Sequence, residues 1–167
     1  SQVKNGTDPR ESVGGVTFRH LSMLAQIKSS DEDVWSSLNR SGHIKGEPGS
    51  ALKIRLSRMR AWINGPHFPE ESRIDIRSVI SDESRSAMGK SGVLFLTNLS
   101  SFLSDCEWSE EGISTAISQA CEYTEIQRKE GYSAIYLALI DRTHGPKVSA
   151  LLFEMKRSTV ISLFDCD

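Results

Sequence analysis

The sequence predicts an all-α fold, a bundle of seven or eight helices joined by short links. Three observations predict it. Apolar residues recur at helical spacing in segment after segment, helix-starting residues precede those segments, and Gly or Gly-Pro closes several of them. A chain of 167 residues suits one large domain or two small ones, and it is long enough to bury a core without disulfides or metals.

Residues 1–15 contain Gly6, Pro9, Gly14 and Gly15 and read as a flexible lead-in. The chain begins without Met, so it reads as a piece of a longer protein. A first helix runs from Thr17 to Lys28, with Phe18, Leu21, Leu24 and Ala25 on one face. Ser30, with Asp33 three residues on, opens the second, which carries Val34 and Leu38 and stops at Gly42. After the turn cluster Gly46-Glu-Pro-Gly49, Ser50 opens a third helix to about Asn64. Leu52, Leu56, Met59 and Ile63 form its narrow apolar stripe, and Gly65-Pro66 ends it. These elements make a first helical subdomain, residues 16–65.

Residues 66–80 read as a connector. Ile74 and Ile76 alternate with charged residues there, but a lone strand has no partner. Residues 81–167 then form a second helical subdomain. Ser81 caps a helix to about Ser104, broken near Gly89 and Gly92, with Val93, Leu96, Leu99 and Leu103 on its core face. Ser109 caps the next, two glutamates favour its positive end, and Trp108 is placed to staple onto Ile113. A further helix covers Tyr132 to Asp141. Gly145 supplies the backbone freedom of the turn, Pro146 the first residue of the following helix, and Ser158 caps the last.

Net charge is −2, which argues against an indiscriminate nucleic-acid binder. The charge is sided, however. Thr17 to Asn64 holds eight Lys/Arg and four Asp/Glu, whereas Cys106 to the end holds six and ten. The three cysteines, Cys106, Cys121 and Cys166, fit no zinc spacing, and with four scattered histidines no structural metal site is expected. They read as reduced thiols of a cytoplasmic protein. No apolar stretch approaches the ~20 residues of a membrane span.

Sequences that suggest catalysis are incomplete. Met88-Gly89-Lys90-Ser91 ends like a phosphate-binding loop, but Ser84 stands where that loop needs its first glycine, and the preceding segment is helical in pattern. His43, in Gly42-His-Ile-Lys-Gly46, lacks a second histidine and reads as part of a loop. No serine is framed as a nucleophile elbow.

One segment is more specific. Ala134-Ile-Tyr-Leu-Ala-Leu-Ile-Asp-Arg-Thr-His-Gly-Pro-Lys147, followed by Ser149-Ala-Leu-Leu152 and Val160-Ile161, closely resembles the C-terminus of class I lysyl-tRNA synthetases. Gly15-Val-Thr-Phe-Arg-His-Leu21 resembles the start of that family's helical cage, and Glu107-Trp-Ser-Glu-Glu111 the start of its penultimate helical pair. The resemblance covers roughly residues 15 to 165. It implies the all-α anticodon-binding region of a lysine–tRNA ligase, with tRNA(Lys) and an upstream catalytic domain of the same polypeptide as partners. ATP would be the parent enzyme's cosubstrate, with no cofactor in this piece. Neither the HIGH-like nor the KMSKS-like motif of the nucleotide-binding fold is in the chain, so no catalytic residue is expected here. The rival reading is a helical protein–protein interaction module.

Unpaired bases are held by stacking and edge hydrogen bonds, and phosphates by Lys and Arg. Two segments offer such groups. Arg55, Arg58 and Trp62 project together beside the apolar stripe of the third helix, the alternative being that Trp62 is a core-edge residue covered by Arg58. Lys53 and Arg60 read as solvated charges. The second segment is the turn Arg142-Thr-His144-Gly-Pro-Lys147. A lysine in the first turn of a helix is opposed by the helix dipole, which makes sense if a phosphate arrives. Arg142 and His144 would flank it, the alternative being a purely structural break. Tyr132, Tyr136, Phe153 and Phe164 read as core rather than as base platforms.

Overall fold

A computed structural model describes residues 12–166. Eight α-helices account for most of them, with one two-stranded sheet, so the chain is all-α as the periodicities predict. The residues divide into two compact units, one ending at Ile74 and the other beginning at Asp75. Most of the expected lead-in, residues 1–11, lies outside the described residues.

The first unit opens with a hairpin. Strands β1 (Ser12–Val13) and β2 (Val16–Thr17) pair antiparallel, Val13 facing Val16. Gly14 and Gly15 turn the chain at φ 60° and 85°. Two consecutive positive φ values are what a tight two-residue hairpin requires, and glycine adopts them without a steric cost. Thr17 then caps α1 (Phe18–Ile27), its hydroxyl accepting from the His20 amide at 3.1 Å. Ser30 caps α2 (Asp31–Arg40) by accepting from the Asp33 amide at 3.2 Å, and three carboxylates in that first turn favour the positive helix end. Helix α3 (Ser50–Ile63) buries Leu52, Leu56 and Met59, while Ile63 at its end is only half-buried.

With Leu21, Leu24, Val34, Leu38 and Phe68, these residues form the core of this unit. Burying each such side chain contributes about 1.5–3 kcal/mol. Arg60 is not a solvated charge. Its guanidinium reaches Asp31 at 2.6 Å and the Ala25 carbonyl at 3.1 Å, which ties α3 to both other helices. The connector is also fastened: Gln26 receives the Ile74 amide at 2.8 Å and donates to the Ser72 carbonyl at 3.1 Å, across a single 3-10 turn at Glu70–Ser72.

The second unit is built around α4 (Asp82–Asp105), which packs against α5 (Glu110–Thr124), α6 (Arg128–Ile140) and α8 (Arg157–Phe164). Helix α7 (Val148–Phe153) packs on α5. Phe95, Leu96, Leu99, Ile113, Ile117, Ile135, Leu139, Leu152 and Phe164 are fully buried. Ser81 and Ser109 cap as predicted, accepting from Ser84 and Gly112 amides at 3.0 Å each. Helix α4 breaks at Gly89, whose φ of 72° and ψ of −176° belong to glycine alone. Met88-Gly89-Lys90-Ser91 is therefore the interior of a kinked helix, not a loop following a strand.

Four expectations are corrected. Helix α6 starts at Arg128, a turn before Tyr132. Pro146 does not open α7: Lys147 is the residue before the helix and Pro146 is buried ahead of it. Gly145 has no positive φ. A side chain there would meet Ile140 Cδ1 at 2.7 Å and the Tyr136 ring at 3.1 Å, so close approach, not backbone conformation, is what disfavours a side chain. Ser158 lies inside α8, which Lys156 precedes with no side-chain cap.

Candidate functional site

The sequence-predicted groups fall in two places, one in each unit. In the first, α3 carries Lys53, Arg55, Arg58 and Arg60 and no carboxylate. Arg58 is exposed and Arg55 half-buried. Trp62 lies in an aromatic corner, 5.6 Å from Phe18 at a tilt of 51° and 4.7 Å from Phe68 edge-on at 86°. It remains 36% exposed, so it is a core-edge residue with part of its indole in solvent. Arg73 sits over the Phe68 ring of that corner, at 5.0 Å. Sequence reading passed over Ile54, which is 53% exposed on the same helix and lies outside the apolar stripe. An isoleucine off the stripe of a basic helix was the signal available.

In the second unit, the turn after α6 is organised from within. Asp141 closes α6 in the left-handed region, φ 62°. Its carboxylate accepts from the Ser81 hydroxyl at 2.6 Å and from the Ser84 hydroxyl, with Arg77 Nη2 at 3.4 Å. The two hydroxyls, together with the Arg77 charge, hold the Asp141 carboxyl below the usual carboxylate range. Tyr136 donates its hydroxyl to the Pro146 carbonyl at 2.6 Å. Ala134, Ile135, Leu137, Ala138, Leu139 and Ile140 are buried. The residues that carry the family resemblance thus build this turn and its packing.

Arg142 is half-buried, whereas His144 and Lys147 are exposed. Thr143 Oγ1 lies 2.9 Å from His144 Nδ1. Lys147 is 73% exposed, and its Nζ stands 3.4 Å from Glu110 in the first turn of α5. It is therefore neither in the first turn of α7 nor an unpaired cation, which removes the dipole argument for a phosphate at this position.

Other reactive groups are structural. Burial pushes the Cys106 and Cys121 thiols up, which disfavours the nucleophilic thiolate. All three cysteines are free. His43 lies in a loop, stacked on His20 at 4.4 Å, with Ser41 Oγ 2.6 Å from its Nδ1. Trp108 donates to the Met155 carbonyl at 3.1 Å, and Arg157 covers its ring at 5.0 Å. Among the described residues no three His, Cys, Asp or Glu side chains gather to hold a metal, and no helix is long and apolar enough to cross a membrane.

In sequence, the chain is similar to aminoacyl-tRNA synthetases, specifically to those for lysine. Lysine–tRNA ligase of Picrophilus torridus is 24% identical over 151 residues, which is 89% of this chain and 28% of the relative. The Pyrococcus horikoshii ligase is 26% identical over 163 residues, 92% of this chain and 30% of the relative. That of Pyrococcus furiosus is 24% identical over 170 aligned residues, covering 92% and 30%. The chain thus spans less than a third of the length of the relatives it matches. No protein-family model matches it.

Proposed function

We propose that this chain is a tRNA-binding helical region of a lysine–tRNA ligase, holding the anticodon end of tRNA(Lys) while ATP-dependent aminoacylation takes place on another part of the same polypeptide, in the cytoplasm. The observation that supports this reading is the coverage: nearly all of this chain aligns with under a third of each ligase. Helical units that match under a third of a much longer ligase suit substrate holding.

The contacts we assign are Arg55, Arg58 and Trp62 on α3, with Arg142, His144 and Lys147 as a second, weaker set because Lys147 is already paired with Glu110. The test is titration of labelled tRNA(Lys) with the purified chain. We expect a dissociation constant on the order of micromolar or weaker at low salt, since only a few cations face any one surface. A stem-loop carrying the anticodon should compete and an acceptor-stem hairpin should not. Binding of neither RNA would leave the helical protein–protein module as the better description.

A further inference from the structure

We propose that α3 seats a short unpaired stretch of RNA with two neighbouring bases splayed apart, one on the Trp62 indole and the other on Ile54, and with the phosphate between them on Arg58. This rests on the reading of the chain as an RNA-holding domain and specifies what part of the RNA that helix takes.

The surface has the chemistry of a single-strand track. Helix α3 is uniformly basic, so its field favours an anion. Of its four cations, Arg60 is committed to Asp31 and the Ala25 carbonyl, and Arg55 is half-buried. Lys53 and Arg58 point to solvent. Between and beside them stand two of the large apolar side chains that this fold leaves in water, Ile54 at 53% and Trp62 at 36% exposed.

For two bases adjacent in the RNA, the spacing calls for an unpaired strand. Ile54 and Trp62 are eight residues apart, about 12 Å along the axis at a rise of about 1.5 Å per residue, and Arg58 is midway. Bases that remain stacked advance by only about 3.4 Å per step. Neighbouring bases reaching both platforms must therefore be unstacked, which a duplex does not allow and a loop does. The alternation of apolar, cationic and apolar groups also matches base, phosphate and base in order.

Trp62 is prepared for this role. Its ring neighbours, Phe18 and Phe68, meet it tilted and edge-on, and neither lies parallel to it. They fix the indole in place, so little side-chain freedom is lost when a base stacks on it. Ile54 supplies the second, aliphatic platform, of the kind that apolar side chains offer to extruded bases.

The experiment compares an RNA stem-loop with a blunt duplex of its stem, titrated against the full chain and its variants, with melting curves as folding controls. We expect the stem-loop to bind more tightly than the duplex. Trp62→Leu should weaken stem-loop binding roughly tenfold, the scale of one lost base stack, and leave duplex binding unchanged. Trp62→Phe should retain most of the affinity. Ile54→Ser, at a solvent-exposed site, should weaken the stem-loop severalfold without unfolding the domain, and it carries the test if Trp62→Leu is unstable. If the stem-loop binds equally well to Trp62→Leu and Ile54→Ser, or no better than the duplex does, this assignment is wrong while RNA binding stands. If the wild-type chain binds no RNA, both readings fall.

Discussion

Single residues hold the turns of this molecule, and their chemistry shows how. Asp141 takes a left-handed backbone and three donors at the place where α4 begins and α6 ends. Asp141→Ala removes those acceptors, and we expect a loss of about 1–2 kcal/mol at neutral pH, read from urea midpoints. The sign of the pH dependence follows from its lowered folded-state pKa. The ionised form stabilises the fold above the ordinary carboxylate pKa of about 3.9, and that contribution is lost as pH falls through the lower folded value. The gap between wild type and Asp141→Ala should therefore narrow on acidification below pH ~4. Lys147 gives a second prediction at this scale. With Glu110 at 3.4 Å, Lys147→Glu sets two carboxylates face to face. Melting should show a small loss, no more than about 1 kcal/mol for so exposed a pair. A stabilised variant would contradict the pairing.

At the scale of elements, four of the eight helices are started by a side chain. Thr17, Ser30, Ser81 and Ser109 each accept from an amide two or three residues into their helix. Ser109→Ala should cost about 1 kcal/mol in thermal or chemical melts. Gly89 is the opposite case, a glycine inside a helix. A methyl group there would meet nothing within 4 Å, so any penalty for Gly89→Ala comes from the backbone alone. We expect roughly 1–3 kcal/mol of destabilisation for a conformation that only glycine adopts readily. A neutral result would mean that the two halves of α4 straighten at little cost.

For the whole molecule, net charge is a poor guide and distribution a better one. The chain is slightly acidic, yet the charged residues of α3 are all cations. The logarithm of the RNA-binding constant should fall linearly with the logarithm of salt concentration, and Arg58→Ala should reduce that slope by about one phosphate contact. An affinity that does not change with added salt would exclude the electrostatic surface. The parts that were legible in the sequence are those governed by local rules. The Ser30 and Ser109 caps, the Leu52/Leu56/Met59 stripe and the break near Gly89 follow from spacing and from residues next to one another in the chain. The resemblance over Ala134–Lys147 was equally legible, because packing and close approach restrict the residues of that turn.

Tertiary structure decided what depends on groups distant in sequence. The Gly14-Gly15 hairpin is invisible in the sequence because two-residue strands carry almost no periodic signal. Arg60 has the look of a solvated charge in the sequence, since nothing near it announces Asp31 or the Ala25 carbonyl. Lys147 looked like an unpaired cation until Glu110 of α5 was brought beside it. Trp62 and Ile54 illustrate the division within one helix. By itself the sequence determined that both lie on α3 among cations. Only the fold decided that Phe18 and Phe68 brace Trp62 while Ile54 stays in water, because burial is set by what the rest of the chain packs against a residue, and no local pattern records it.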